Sequence, residues 1–259
     1  MPFENVSKET IIKQLQKIGV KKGATIYVAS FMPILGNSQT ILEDTVAALL
    51  ESIGKSGTVV MPAFNWDYCT SRIFDPATAP SQVGVLTEEF RKHPDTLRSL
   101  TPPWCTFTAA GKKAKEIVQI AGTSSFGSDS IIQYLYDVNA KYVLLGCLYN
   151  DAVVHVHWLE EKFEVPYRYW KQFIGKIKLH GELMHNVSYM YARRLDVNTD
   201  IDSHHLTEKF EKTGKVRVGK IGLGQLRCFN TQDYVDFMTP YFEKDKLAVL
   251  VSEARKNFE

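Results

Sequence analysis

The stretch HVHWLEEKFEVPYR, from His155 to Arg168, holds the residue types and spacing best suited to proton transfer. On a helix, His157 and Glu160 share a face because they are three positions apart, and Glu161 stands beside them. A carboxylate against an imidazole favours the imidazolium and fixes its tautomer. A general base requires this arrangement, and such a base contributes roughly 10²- to 10⁴-fold in rate. The same spacing also makes exposed helix pairs worth under about 1 kcal/mol, so the pattern alone leaves both readings open.

Two other chemistries use neighbouring residues. His155 and His157 form an H-x-H pair that would point to one side of a strand and could begin the metal site of a hydrolase, although no third ligand follows at a recognisable spacing. Cys105 could serve with a histidine as the nucleophile of a ping-pong acyl transfer. An isolated cysteine after a tryptophan equally fits a small buried residue. The four cysteines, Cys69, Cys105, Cys147 and Cys228, contain no C-x-x-C pair. They fit neither a disulfide framework nor a zinc ribbon, and they point to a reducing compartment.

The chain that must position these residues has 259 of them, 44% hydrophobic, with 31 basic against 29 acidic side chains. No long run of like charge suggests a nucleic-acid partner. The opening segment MPFENVSKET lacks the basic-then-apolar order of a signal peptide, and no apolar run approaches a membrane span. A soluble, cytoplasmic protein is expected, with room for a homo-oligomer. Neither a repeat nor a flexible linker divides the chain, so a single domain over residues 1–259 is expected.

Periodicity supplies the elements. Ser7 caps a helix with Ile11, Ile12, Leu15 and Ile18 on one face and Gly19 at its end; a short strand covers Thr25–Val28. A second helix spans Ile41–Ile53, closed by Gly54, and GTVVMP (Gly57–Pro62) is a strand. Phe74–Ser81 and Arg98–Phe107 read as loops around a helix over Leu86–Arg91. A helix over Ser130–Tyr136, an apolar strand at Tyr142–Gly146 and a helix over Val154–Phe163, stopped by Val165-Pro166, follow. Ile174–Leu179 and Met184–Ala192 alternate as a hairpin across His180-Gly181-Glu182; Val216–Phe229 continues as strand, and helices close the chain from Gln232. The expected fold class is α/β, with a mixed central sheet flanked by helices.

Six pieces in order carry a resemblance over nearly the whole chain: GTVVMPAF (Gly57–Phe64), FDPATAPSQVG (Phe74–Gly84), Phe90-Arg91, Arg98-Ser99, YVLLG (Tyr142–Gly146) and HWLEEKFEVPYR (His157–Arg168). The sequence resembles the antibiotic N-acetyltransferase family, whose best-known members are the aminoglycoside 3-N-acetyltransferases. The resemblance implies an acyl-CoA donor, direct transfer without a covalent acyl-enzyme, and no metal. It implies His157 as general base and Glu160 as its orienting partner. By the same match Ser30, in Val28-Ala29-Ser30-Phe31, would offer oxyanion donors, and Ser30, Phe31, Arg98, Ser99 and Cys105 would line the coenzyme A channel. Trp66, Asp67, Tyr68, Tyr167 and Arg168 would meet the acceptor.

The first loop reads VAS where aminoglycoside acetylases read HSS, and RSLTPPWC stands where they carry RS-x-HP-x-x-S, so Thr101 replaces the usual His and Cys105 the usual Ser. Those departures resemble the sugar N-acyltransferases of surface-polysaccharide pathways. A net charge of +2 and a pI of about 8.2 also suit an anionic acceptor better than a polycation. The expectation drawn is transfer of acetyl or a short hydroxyacyl such as 3-hydroxybutanoyl to a nucleotide-linked amino sugar, for example a dTDP-3-amino-3,6-dideoxyhexose. The alternatives are an aminoglycoside acceptor and, from other classes, the H-x-H hydrolase or a catalytically silent binding protein of the same fold.

Overall fold

The computed structural model describes residues 6–36 and 38–259. The first five residues of MPFENVSKET, and the reading of that segment as no signal peptide, lie outside them. The strands are β1 Thr25–Ser30, β2 Thr58–Pro62, β3 Ile73–Phe74, β4 Leu97–Arg98, β5 Phe107–Gly111, β6 Lys141–Leu145, β7 Arg168–Leu179, β8 Glu182–Arg193, β9 Arg217–Ile221 and β10 Gly224–Asn230. Seven of them form the central sheet in the order β4-β5-β2-β1-β6-β10-β9, and β3-β7-β8 make a smaller sheet. The central sheet is mixed: β1 runs parallel to β2 and β6, whereas β5, β10, β4 and β9 join antiparallel. The α/β class with a mixed, helix-flanked sheet is therefore the observed architecture.

Both faces of the central strands are covered, which is why β6 reads as one apolar run. Ile26, Val28, Val59, Met61, Val143 and Leu145 point to the face packed by the helices Lys8–Lys17 and Gln39–Ile53. Tyr27, Val60, Tyr142 and Leu144 point to the opposite layer, where the helix His155–Lys162 contributes Val156, Trp158 and Leu159. Helix caps fall where the residue chemistry requires: the Ser7 and Ser130 hydroxyls accept from the Thr10 and Gln133 amides. Between β7 and β8, His180 and Gly181 both hold positive φ, at 50° and 87°. That matches a primed two-residue hairpin turn.

The structure departs from the pattern in several places. β1 extends to Ser30, β7 begins at Arg168, and Val216–Phe229 divides into the β9–β10 hairpin at Gly222-Leu223. Phe74 joins β3 and Arg98 joins β4 within segments read as loops. The strand FTAAG and the helix Ala114–Val118 carry weak local signals and were not anticipated, and neither was the amphipathic helix His204–Lys212, whose Leu206 and Phe210 are buried one turn apart. FTAAG is held as a strand by pairing with β2 along its length, so tertiary context outweighs its alanines and glycine.

Candidate active site

The helix His155–Lys162 is nearly encased: His155, Val156, Trp158, Leu159 and Glu160 are all buried. It closes in a Schellman arrangement, the Val165 amide donating to Glu160 O and the Glu164 amide to Glu161 O, with Glu164 in the left-handed region at φ 49°. Pro166 then cannot continue the helix. This reversal sends Tyr167 and Arg168 back beneath Glu160.

A fully buried carboxylate must be partnered. Glu160 Oε2 lies 2.6 Å from His157 Nδ1 and 2.7 Å from Arg168 Nε, and Tyr167 Oη donates to Oε1 at 3.0 Å. Burial pushes this carboxyl up, but Arg168, His157 and the Tyr167 hydroxyl outweigh it and hold it below the usual range. Glu160 is thus ionised and accepts only, which places the proton on His157 Nδ1. Arg168 Nη2 also lies 2.9 Å from Nδ1. A protonated Nδ1 cannot accept from it, so that approach is charge proximity rather than a hydrogen bond. In this tautomer Nε2 keeps its lone pair.

His157, one-third exposed, opens on a cavity of about 620 Å³. Trp66, Trp104, Phe126, Asp151, Arg168 and Arg193 are among its walls. A second cavity of about 460 Å³ lies at the carboxyl ends of β1, β2 and β6, lined by Ser30, Phe31, Phe64, Gly146 and Leu148. Ligand crevices of open α/β sheets form at such strand ends. Asp151 borders both cavities.

The other residues singled out from sequence separate into two groups. Ser30 and Phe31 line the strand-end cavity; Trp66 and Arg168 line the His157 cavity, with Trp66 stacked on Trp104 at 5.8 Å. Asp67 is exposed and accepts from Gln82 Nε2 at 3.0 Å. The remainder are interior. Tyr68 is buried against Gly175, where a Cβ would stand 2.6 Å from its hydroxyl. Tyr167 is buried beneath Glu160 and supports it instead of meeting an acceptor.

Arg98, expected to reach a phosphate, spends its donors internally. Nη2 donates to Ala63 O at 2.7 Å, Nη1 to Ala79 O at 2.5 Å and Nε to Thr106 Oγ1 at 3.0 Å, and the guanidinium covers the Phe74 ring. It ties the 75–81 loop to the sheet. Ser99 is fully buried and accepts from the Phe107 amide at 2.9 Å. Cys105 is also fully buried, and burial pushes its thiol well up, away from the thiolate a nucleophile needs.

His155 shares no metal geometry with His157. It is fully buried, Nδ1 lying 2.6 Å from Tyr142 Oη and Nε2 3.1 Å from Ile132 O, and burial pushes its pKa down to about 3. Among the described residues no group of three or more His, Cys, Asp or Glu could hold a metal ion. No helix among them is long and apolar enough to cross a membrane. Asp151, Phe126 and Trp104 were missed as cavity residues. Tertiary folding brings all three to the site, and only the position of Asp151 shortly before His157 hinted at a role.

Comparison with known proteins yields consistent findings. The family model described as aminoglycoside 3-N-acetyltransferase matches residues 26–243. The chain is similar to aminoglycoside N(3)-acetyltransferase III of Salmonella sp, at 26% identity over 92% of each chain. Its fold is similar to that of the aminoglycoside acetyltransferase AAC(3)-IVa apoenzyme, with a TM-score of 0.78, 24% identity and 98% of each chain covered. It is also similar to the fold of AAC-IIIb in binary complex with CoASH, with a TM-score of 0.80, 20% identity, and 93% and 97% of the two chains covered.

Proposed function

Because the chain belongs to the aminoglycoside 3-N-acetyltransferase family and is thereby a coenzyme A-dependent N-acyltransferase, we propose that it transfers acetyl from acetyl-CoA directly to an amine of an aminoglycoside. The observation that carries this reading is His157, with Nδ1 fixed by buried Glu160 and its ring open to a large cavity beside the strand-end crevice. The acceptor occupies the His157 cavity and the pantetheine arm the largely apolar crevice.

An ammonium of pKa roughly 8 to 10 must lose a proton before it can attack. That first proton passes to solvent, and His157 Nε2 takes a second N–H proton as the free amine nitrogen bonds to the thioester carbonyl carbon. The imidazolium so formed is stabilised by Glu160. Ser30, at the carboxyl end of β1, supplies donors to the tetrahedral oxyanion, each worth on the order of 10²- to 10³-fold. Collapse breaks the carbon–sulfur bond, and the imidazolium returns its proton to the coenzyme A thiolate.

The nucleotide-linked amino sugar and the hydroxyacyl donor anticipated from sequence find no counterpart in these relatives, whose names specify aminoglycosides and acetyl transfer. Arg168 is spent on Glu160, and Asp151 at the junction of the cavities repels a pyrophosphate. The test is His157→Asn, with turnover of acetyl-CoA and an aminoglycoside panel followed by thiol release. The expected loss is roughly 10²- to 10⁴-fold in kcat with coenzyme A binding retained. Undiminished turnover would overturn the assignment of the base. Turnover with nucleotide-linked amino sugars alone would overturn that of the acceptor.

A further inference from the structure

The smaller sheet, β3-β7-β8, ends on β8. Tyr189 donates its amide outward to Thr123 O, and Ser124 forms an isolated parallel bridge with Tyr189, so a neighbouring segment covers the edge there. In an antiparallel ladder every second residue turns its main-chain groups the same way. The amides and carbonyls of Leu183, His185 and Val187 therefore also face outward, and among the described residues no backbone group meets them. An open edge of this kind is a template for another strand.

The usual guards are missing from this stretch. From Glu182 to Tyr189 it has no proline, lysine or arginine, and its single carboxylate, Glu182, stands beside the turn. Leu183 and Val187 flank His185 on one face, with Lys176 opposite His185 and Ile174 opposite Val187 on β7. Ile174 and Leu183 are each at least half exposed.

We propose that the open edge of β8 pairs with the same edge of a second copy of this chain, antiparallel about a two-fold axis at His185, which joins two three-stranded sheets into one. Outward-facing groups must meet outward-facing groups, so His185 pairs with its counterpart and Leu183 with Val187 of the second copy. Sliding the second copy one way leaves fewer paired residues, and sliding it the other way drives its strand onto Thr123 and Ser124. In the chosen register its turn at His180-Gly181 falls opposite Tyr189, so its strand ends where that cover begins. This match of the free stretch to its own length is what favours a second copy over an unrelated strand. The pairing supplies about six main-chain hydrogen bonds and two Leu183–Val187 contacts. So narrow an interface falls below the roughly 1,200 Å² of stable complexes, so the dimer is weak and forms at high protein concentration.

The test is analytical ultracentrifugation of the intact chain from about 1 μM to about 1 mM. The mass should rise from 29.4 kDa towards twice that value. His185→Pro removes an amide that β7 does not use, so the hairpin should persist while association weakens about tenfold or more. Leu183→Lys, which puts a charge on the face on either side of the axis, should weaken it as well. Circular dichroism and thermal melting establish that both variants are folded. With glutathione disulfide as oxidant, His185→Cys should give a covalent dimer joined through the introduced thiols. Leu183→Cys should not, because its two thiols stand about 13 Å apart across the axis. A wild type that stays monomeric throughout overturns the proposal, as does a dimer that neither His185→Pro nor Leu183→Lys weakens and that His185→Cys does not link.

Discussion

Replacing His155 by Gln should flatten the acid side of the stability profile. In the folded chain the Tyr142 hydroxyl donates to Nδ1 and Nε2–H donates to Ile132 O, which defines a neutral imidazole with no site for a second proton. Burial pushes its pKa from 6.5 down to about 3, whereas the unfolded chain retains the ordinary value. Above pH 6.5 neither state binds the proton and the effect is nil. As pH falls from 6.5 towards 3 only the unfolded state binds it, and stability declines across that window.

At pH 5 the difference amounts to about 2 kcal/mol. For a chain of this size that corresponds to a melting shift of about 4 to 8 °C. Glu160 does not interfere. Its carboxyl is depressed, so the stability it contributes is present above the ordinary carboxylate range and is lost only at lower pH. Denaturant unfolding at pH 8 and pH 5 should therefore show wild type losing about 2 kcal/mol more than His155→Gln. Gln can still accept from Tyr142 and donate to Ile132, so the variant is expected to fold. Equal losses in the two proteins would refute a neutral, buried His155.

Three further outcomes are expected. Glu160→Gln strips buried Arg168 of its counter-charge, at about 3 to 5 kcal/mol by chemical denaturation, and lowers kcat; adding Arg168→Gln should restore part of the stability and none of the rate. Arg98→Met should cost about 2 to 3 kcal/mol, because the Ala63 and Ala79 carbonyls lose a charged donor, while KM for acetyl-CoA stays within about twofold; a tenfold rise would return Arg98 to the phosphate. Cys105→Ala should keep most of the rate, and mass spectrometry of the wild type with acetyl-CoA alone should show no acetylated protein, since a thiol raised this far by burial is not a nucleophile.

What the sequence revealed divides by the range of the interaction. The His157–Glu160 pair is local, three residues apart on one helix, and so was legible. The capped helices after Ser7 and Ser130 were legible for the same reason. Tyr167 was seen as part of the site but given the wrong direction, whereas Arg168 lines the His157 cavity and also pairs with Glu160. Proximity in sequence does not show that the chain reverses at Glu164 and folds both residues beneath the helix as supports of Glu160. Arg98 illustrates the same limit, since an arginine spent on buried carbonyls is indistinguishable by type from one that awaits a phosphate. β5 needed its partner strand to declare itself.

Net charge and local charge point to different acceptors. A chain at +2 suggests an anionic acceptor, yet recognition answers to the field inside a cavity and not to the sum over the surface. The His157 cavity contains Asp151, Asp200, Arg168 and Arg193. Arg168 is held by Glu160, and Arg193 lies 3.8 Å from Asp200. Asp151 is left without a cation partner among the described residues, where the His157 cavity and the strand-end cavity meet. On the proposed assignment of the two cavities, an ammonium drawn to Asp151 is delivered to that junction, beside the crevice proposed for the thioester, and an anionic acceptor is repelled from it. The excess of basic side chains elsewhere leaves this local preference intact, because exposed charges beyond about 10 Å are largely screened at physiological ionic strength. Asp151→Asn should therefore raise KM for cationic acceptors, and that rise should shrink as ionic strength increases; a KM unaffected by the substitution at low salt would remove Asp151 from acceptor recognition.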